Sequence, residues 1–325
     1  MNELLPVKPK LNIKRVIITI IYLIIIVFLI VIINIKLKQR ELRKSTIEYA
    51  NALSEMQNEE EQKEEQEEAK RAEQEKIQQE QAKLAEGTNQ KKYQPLTADD
   101  IEKLKNIYKH SDTKRVFLTF DDGPSTAVTP FILDLLKKEN IKANFFVVGN
   151  RANKNQDLIR REYNEGHFIG NHSYTHEYST IYSSPENVLN EYNQTNNLLK
   201  NIIGNQNFNT LLFRFPGGLA GGKYAELKQN AANLLYQNGI GNVDWNALTN
   251  DAEGAKTKEK IMSNFYETIK NKTSIVLLMH DSSNKILTYE TLPDIIKYFR
   301  DNGYEFQTIY QYLGREWKDV YTLLM

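Results

Sequence analysis

From about residue 114 onward the chain alternates short apolar runs with amphipathic segments, and this alternation limits the possible folds more than any other feature. Seven runs have the length and composition of strands: 115–120, 142–148, 167–173, 210–215, 240–245, 274–280 and 304–309. Helical patterns separate them, as in 184–203, where Ser184 and Pro185 predict the N-cap and first turn. Repeated strand-then-helix units predict an α/β fold, a distorted (β/α) barrel of about seven parallel strands.

A predominantly apolar stretch occupies residues 16–35, with only Thr19, Tyr22 and Asn34 as polar interruptions, and predicts a transmembrane helix. A helix of that length spans roughly 30 Å of hydrocarbon. Basic residues follow it directly, without the small-residue cleavage site of a signal peptide, which predicts an uncleaved anchor. The flanking cations are nearly balanced, with Lys8, Lys10, Lys14 and Arg15 before the stretch and Lys36, Lys38, Arg40, Arg43 and Lys44 after it. They do not determine the orientation of the predicted helix in the membrane.

Residues 36–95 are dominated by Glu, Gln, Lys and Ala. These are good helix formers, but apolar residues are too few for a sustained heptad pattern. We predict a charged helical or disordered stalk, with a coiled coil as the alternative. Residues 1–15 would form an N-terminal tail, 96–113 a connecting helix that begins after Thr97, and 114–325 the folded domain.

Composition excludes several classes of function. The 42 basic and 42 acidic residues give a net charge of zero, so no net field attracts nucleic acid. The chain has no cysteine, which excludes disulfides, thiolate nucleophiles and cysteine-ligated zinc.

Polar side chains gather where the predicted strands end, and the carboxyl ends of parallel strands share one rim. They are Asp121, Asp122, Asn171, His172, Arg214, Asp244, His280 and Asp281. Two adjacent carboxylates at a strand end repel unless a cation or a shared proton lies between them. His172 and His176 have the spacing of two imidazoles that share one ion. One Asp with these two His would make an open, catalytic type of metal site, whereas an ordinary Asp-Gly-Pro turn beside two exposed histidines is the alternative.

Five ordered motifs, TFDDGP, NHSYTH, RFPGG, VDW and LLMHD, resemble those of the polysaccharide deacetylases, the NodB-homology group called carbohydrate esterase family 4. The resemblance covers about residues 114–312 and neither the apolar stretch nor the stalk. It implies that Asp121 is the general base and that Asp122, His172 and His176 ligate one divalent ion. Zinc is the expected metal, with Co²⁺, Mn²⁺ or Fe²⁺ as alternatives.

The resemblance also implies further roles at the rim, and in one place the sequence departs from the family. Arg214 would orient Asp121, the Gly217 N–H would stabilise the oxyanion, and His280 would be the general acid, paired with Asp244. Trp245 and Leu278 would wall the acetyl pocket. The family often has an acid and a hydroxyl residue ahead of the VDW motif, where this chain has Gly241 and Asn242. Asp251, in the loop after Trp245, could contact substrate or be a simple loop carboxylate.

This chemistry would remove N-acetyl groups from a cell-wall polysaccharide, and the anchor and stalk favour N-acetylglucosamine residues of peptidoglycan as the substrate. We therefore expect a single-pass protein of a bacterial cell membrane with a monomeric, extracellular catalytic domain. Two alternatives are an enzyme for N- or O-acetyl groups of another surface polysaccharide, and a non-catalytic wall-binding protein on the same fold.

Overall fold

The computed structural model describes residues 14, 15, 17–44 and 95–315 of a chain that divides into two compact units, Met1–Asn89 and Gln90–Met325. In the first unit, helix α1 (Ile17–Lys44) has 28 residues and is long and apolar enough to cross a membrane. A signal sequence would have the same properties. The helix continues past residue 35, where we expected the stalk to begin. Most of the predicted tail and stalk lies outside the described residues.

The second unit contains eight strands and ten helices among its described residues. The strands are β1 (Arg115–Asp121), β2 (Asn144–Val147), β3 (Phe168–Asn171), β4 (Leu212–Phe213), β5 (Gly241–Asn242), β6 (Ala247–Leu248), β7 (Ser274–His280) and β8 (Glu305–Phe306). The helices are α2 (Ala98–Asn106), α3 (Thr129–Lys138), α4 (Gly149–Lys154), α5 (Gln156–Asn164), α6 (Tyr178–Ile181), α7 (Pro185–Ile203), α8 (Ala225–Gln237), α9 (Lys258–Ile269), α10 (Ile286–Asp301) and α11 (Ile309–Tyr312). The predicted strand-and-helix alternation is confirmed.

The strands form one sheet in the order β5-β4-β3-β2-β1-β7-β6, with β8 also paired to β1. Every pairing in this sheet is parallel, as the sequence predicts. β5 and β6 are the two ends of the order, and within residues 95–315 no strand pairing joins them. The sheet is therefore a curled, open barrel. β6 is a strand that the sequence analysis missed.

Strand β1 is at the centre of the core. It pairs with β7 along its whole length, with β2 near its carboxyl end and with β8 near its amino end. All of its residues after Arg115 are buried. Phe117 and Phe120 are completely buried, and burial of each such side chain contributes about 1.5–3 kcal/mol. A strand this firmly packed fixes the position of whatever follows it.

Two predicted helix starts are confirmed. Ser184 caps α7 by accepting a hydrogen bond from the Asn187 amide, and Pro185 takes the first position. Thr97 caps α2, where the Asp100 side chain accepts a bond from the Thr97 amide in return. These caps satisfy amides that have no partner inside the helix.

Candidate active site

The carboxyl ends of the strands meet at one rim of the sheet, which carries most of the predicted site residues. Asp121 is the last residue of β1, His280 is the last residue of β7, and the two are direct partners in the ladder. His172 follows the end of β3, and Arg214 follows the end of β4. The parallel sheet thus brings residues distant in sequence to one edge.

The turn after β1 is fixed by Asp281. Its carboxylate occupies the space where a Cβ on residue 123 would lie, with the carboxylate carbon only 2.5 Å from that position, so a side chain there would force the carboxylate to move. The carboxylate also accepts a hydrogen bond from the Thr129 hydroxyl at 2.5 Å, and the Ser125 hydroxyl donates to the Asp281 carbonyl at 2.7 Å. Asp122 takes a left-handed backbone conformation in this turn, with φ of 73°. These contacts tie the turn to the end of β7.

Asp122, His172 and His176 form the candidate metal group. One ligand atom from each residue lies within 4.8 Å of the others. The Oδ1 atom of Asp122 is 3.0 Å from His176 Nε2 and 3.6 Å from His172 Nε2. His176 has a left-handed backbone, with φ of 61°, and its amide donates to the Ser173 hydroxyl oxygen at 3.1 Å. The irregular loop after β3 thereby turns both imidazoles toward Asp122.

The chemistry of these three side chains fits a bound cation. His172 Nδ1 lies 2.8 Å from the Arg214 carbonyl oxygen, which can only accept, so Nδ1 carries the hydrogen and Nε2 presents a lone pair. Asp122 Oδ1 is buried, and apart from its 3.0 Å contact with His176 Nε2 it has no hydrogen-bond partner among the described residues. A carboxylate and two imidazole nitrogens that converge in this way favour a metal ion. Three ligands leave positions open for water and substrate, as in catalytic sites.

Electrostatics at the metal group agree with that fit. Burial raises the pKa of Asp122, but the contact with His176 and the neighbouring imidazole charges outweigh burial and hold the pKa well below its ordinary value. Burial lowers the pKa of His172 to about 4, more than the charges of Asp121 and Asp122 can offset. At neutral pH the group therefore contains a carboxylate and a neutral imidazole, the forms that bind metal.

Asp121 is paired with a completely buried arginine. Arg214 Nη1 donates to Asp121 Oδ1 at 2.8 Å and to the Thr119 hydroxyl at 2.8 Å. Its other nitrogens donate to the carbonyls of Val243 and Asp244, each at 3.0 Å. The guanidinium is thus fixed by four acceptors, and it orients Asp121. The second carboxylate oxygen, Oδ2, lies 3.8 Å from Nε2 of His172.

The carboxylate that pairs with His280 is Asp251, and the prediction that Asp244 does so is wrong. Asp251 Oδ1 lies 2.9 Å from His280 Nδ1, and its Oδ2 accepts bonds from the His280 amide at 2.8 Å and the Thr288 hydroxyl at 2.7 Å. The Asp244 carboxylate instead accepts the Leu219 amide at 3.0 and 3.2 Å. Burial raises the pKa of Asp244, more than that bond and Arg214 lower it. Asp244 therefore supports the loop after β4.

The remaining predicted residues lie around the rim. Gly217 has φ of 74°, in the region that favours glycine. Trp245 is half-buried and lies against Gly218, where its ring would be 3.0 Å from an added Cβ. Leu278 is buried in β7, two residues before His280, and pairs with Thr119. The roles in an oxyanion site and an acetyl pocket stay predictions.

Sequence reasoning underrated two residues at this rim. From the sequence, Asp251 is expected to be a loop carboxylate or a substrate contact, and Asp281 is expected at the rim without a specific role. The side chain of Asp281 faces Gly123, and only the glycine in the TFDDGP motif could have indicated its position.

Comparisons with known proteins show which family this chain belongs to. A family model described as polysaccharide deacetylase matches residues 108–238. A peptidoglycan-N-acetylglucosamine deacetylase from Bacillus cereus is 32% identical over 213 residues, which cover 63% of this chain and 72% of the relative. The chain belongs to the polysaccharide deacetylase family. The peptidoglycan-N-acetylglucosamine deacetylase PgdA of Listeria monocytogenes is 32% identical over 230 residues, 70% of this chain. The match spans only 44% of that relative's length.

Solved structures of the polysaccharide deacetylase family share the fold. A CE4 esterase from Streptococcus mutans superposes with a TM-score of 0.58 and 35% identity, over 66% of this chain and 92% of the other. The catalytic domain of a peptidoglycan N-acetylglucosamine deacetylase from Eubacterium rectale superposes with a TM-score of 0.54 and 30% identity, over 62% and 92% of the two chains.

Proposed function

We propose that this chain is a metal-dependent deacetylase that removes acetyl groups from N-acetylglucosamine residues of peptidoglycan and releases acetate. One observation carries the proposal: a carboxylate bound to a buried arginine adjoins a three-ligand metal group. Asp121 Oδ2 lies 3.8 Å from Nε2 of the candidate ligand His172, while its Oδ1 is bound to Arg214. A base beside a metal group is what amide hydrolysis by an activated water needs.

The residues of this chain divide the proton transfers between them. A divalent ion bound to Asp122, His172 and His176 would supply a Lewis acid for the acetyl carbonyl and would lower the pKa of water. Asp121 would accept the proton of the attacking water, because Arg214 holds its carboxylate at the rim in one orientation. The N–H of Gly217 would donate a hydrogen bond to the developing oxyanion.

His280 would donate a proton to the leaving sugar nitrogen. Its Nδ1 faces Asp251, so Nε2 is the nitrogen left to face substrate. Asp251 is fixed in turn by bonds from Thr288 and from the His280 amide, and it would keep the imidazole oriented and charged. Asp251 thus takes the role for which the sequence suggested Asp244.

We propose zinc as the metal, although one carboxylate and two imidazoles also suit Co²⁺, Mn²⁺ and Fe²⁺. Peptidoglycan is favoured because relatives named for that substrate match across the catalytic unit. Helix α1 supports a single membrane anchor. We propose that the catalytic domain is monomeric and lies on the outer side of the membrane, because the proposed substrate belongs to the wall.

The test is acetate release from purified wall glycan by the full chain in detergent micelles, with zinc present. Asp121→Asn should lose most of the rate and keep its metal content, since the introduced amide has the shape of the base without its basicity. No release from wall glycan, combined with turnover of another acetylated polymer, would refute the substrate. Equal behaviour of wild type and Asp121→Asn would favour a non-catalytic wall-binding protein.

A second activity on O-acetyl groups has one observation in its favour, because the Streptococcus mutans structural relative is named an esterase. The same metal group and base could serve an ester carbonyl. Comparing acetate release from an O-acetylated and an N-acetylated polymer separates the two activities.

A further inference from the structure

Tyr178 is an exposed aromatic residue at the rim with no role assigned so far. It begins α6, two residues after His176, and its relative exposure is 41%. Among the described residues of the second unit, the other large apolar or aromatic side chains this exposed are Phe131, Tyr266 and Ile286. They lie on α3, α9 and α10, whereas Tyr178 contacts the metal-group residue His176. Its position beside the candidate metal group, rather than its exposure alone, makes Tyr178 a candidate for substrate contact.

The Tyr178 ring is fixed between a metal-group residue and a buried tyrosine. Its centroid is 6.0 Å from that of His176 and 5.6 Å from that of Tyr182, both in edge-to-face geometry. Tyr182 is 2% exposed, and its hydroxyl donates to the Pro216 carbonyl at 2.6 Å. Tyr178 therefore has a rigid support behind it while part of its ring faces solvent.

The hydroxyl end of Tyr178 reaches the loop that carries Gly217. A Cβ on residue 217 would lie 2.6 Å from the Tyr178 hydroxyl oxygen, so the phenol lies directly against the Gly217 backbone. A tyrosine hydroxyl can both donate and accept a hydrogen bond. Tyr178 thus spans from the metal group to the predicted oxyanion site.

We propose that Tyr178 is a substrate-binding residue of this site, which packs its exposed ring face on a sugar ring of the glycan and donates its hydroxyl to a sugar oxygen. This inference rests on the proposed function. A sugar ring offers an apolar C–H face and a polar edge, and tyrosine offers an apolar body with a polar tip. Because Tyr182 and Gly217 already fix the ring, little conformational entropy is lost on binding.

The experiment uses the full chain in detergent micelles and three variants. Tyr178→Ala removes ring and hydroxyl, and Tyr178→Phe removes the hydroxyl alone. Tyr266→Ala is the matched control, because Tyr266 is 49% exposed and packs on Phe265 and Tyr298 of the remote helix pair α9 and α10. Binding to insoluble wall glycan is measured by co-sedimentation, KM and kcat are measured with soluble glycan fragments, and metal content is measured for each protein.

We expect Tyr178→Ala to raise KM about tenfold and to weaken co-sedimentation about tenfold. Tyr178→Phe should change both quantities about threefold. In both variants kcat should change less than about twofold. Tyr266→Ala should match wild type, and all proteins should contain equal metal. Unchanged KM and unchanged co-sedimentation in both Tyr178 variants, with an active wild type, would overturn the inference and leave the proposed function intact.

Other outcomes distinguish the two proposals. A wild type that binds glycan without releasing acetate would overturn the proposed function, and weaker binding by Tyr178→Ala would still support the inference. Absence of both binding and release in wild type would overturn both. Metal loss in Tyr178→Ala with normal binding by Tyr178→Phe would show that the ring only supports His176, which also overturns the inference.

Discussion

At the scale of single residues, His280 and Asp251 set each other's charge. Burial lowers the pKa of His280, but its hydrogen bond to Asp251 and the charges of Asp251, Asp121 and Asp122 outweigh burial and raise the pKa to about 9. Burial raises the pKa of Asp251, and the same contact with His280 outweighs it and lowers the pKa. His280 is therefore charged below about pH 9 and loses its proton as the pH rises through that value.

We expect Asp251→Asn to move the alkaline limb of kcat/KM to lower pH. The substitution removes the charge that raises the pKa of His280 and leaves the burial that lowers it. His280 therefore loses its proton at a lower pH and stops acting as the general acid there. The profile should be measured from about pH 6 to about pH 10. In Asp244→Asn the alkaline limb should keep its position. A shift in that control, and none in Asp251→Asn, would show that the Asp251–His280 pair does not govern the acid.

Arg214 should be the most costly charge to remove. It is completely buried, and its loss leaves Asp121 as an unpaired buried charge, so Arg214→Ala should lower the free energy of unfolding by about 3–5 kcal/mol. The matched control is Arg160→Ala, whose pair with Asp157 at 2.9 Å is solvent-exposed and should contribute less than about 1 kcal/mol. Urea unfolding measures both variants. Equal losses would contradict the role of burial.

At the scale of elements, the missed strand β6 explains the misassigned carboxylate. Ala247 and Leu248 pair with Leu277 and Leu278 of β7, so the chain after Leu248 runs level with the residues after Leu278 and brings Asp251 to His280. Asp244 precedes β6, so the pairing of β6 with β7 does not bring it to His280. A two-residue strand has no pattern of its own, because pairing with β7 creates it. Without knowledge of β6, the order of residues in the sequence does not show whether Asp244 or Asp251 pairs with His280.

A side chain at residue 123, in the turn between β1 and α3, should destabilise the protein. Gly123→Ala places a Cβ against the Asp281 carboxylate, and such overpacking lowers the free energy of unfolding by about 1–3 kcal/mol. The double variant Gly123→Ala/Asp281→Ala removes the obstacle, so its loss should be smaller than the sum of the two single losses by about 0.5–3 kcal/mol. Thermal unfolding of all four proteins gives the coupling. Additive losses would show that the turn can move.

At the scale of the whole molecule, metal should couple the site to global stability. A ligand at 100 times its Kd stabilises the folded state by about 2.7 kcal/mol, which raises Tm by about 5–10 °C for a domain of this size. We expect chelation to lower Tm by that amount in wild type. Chelation should have no effect on Tm in His176→Ala, which lacks one ligand of the group. Identical shifts in both proteins would place the metal elsewhere.

Much of the architecture follows from pattern, because long strands such as β1 and β7 and well-capped helices such as α7 carry their own periodicity. The metal group could also be anticipated, since Asp122, His172 and His176 follow strands whose ends must share a rim. The buried polar contacts could not be anticipated from the sequence. Arg214 bonds to backbone carbonyls, and Asp281 fills the space beside Gly123, and both arrangements exist only after the sheet has formed.

The contact between Asp281 and Gly123 also has an evolutionary consequence. A lineage could acquire a side chain at position 123 only after, or together with, a shorter residue at position 281. The two sites are 158 positions apart in the chain and should nevertheless covary across an alignment of relatives. This covariation would be detectable even among sequences whose structures have never been determined.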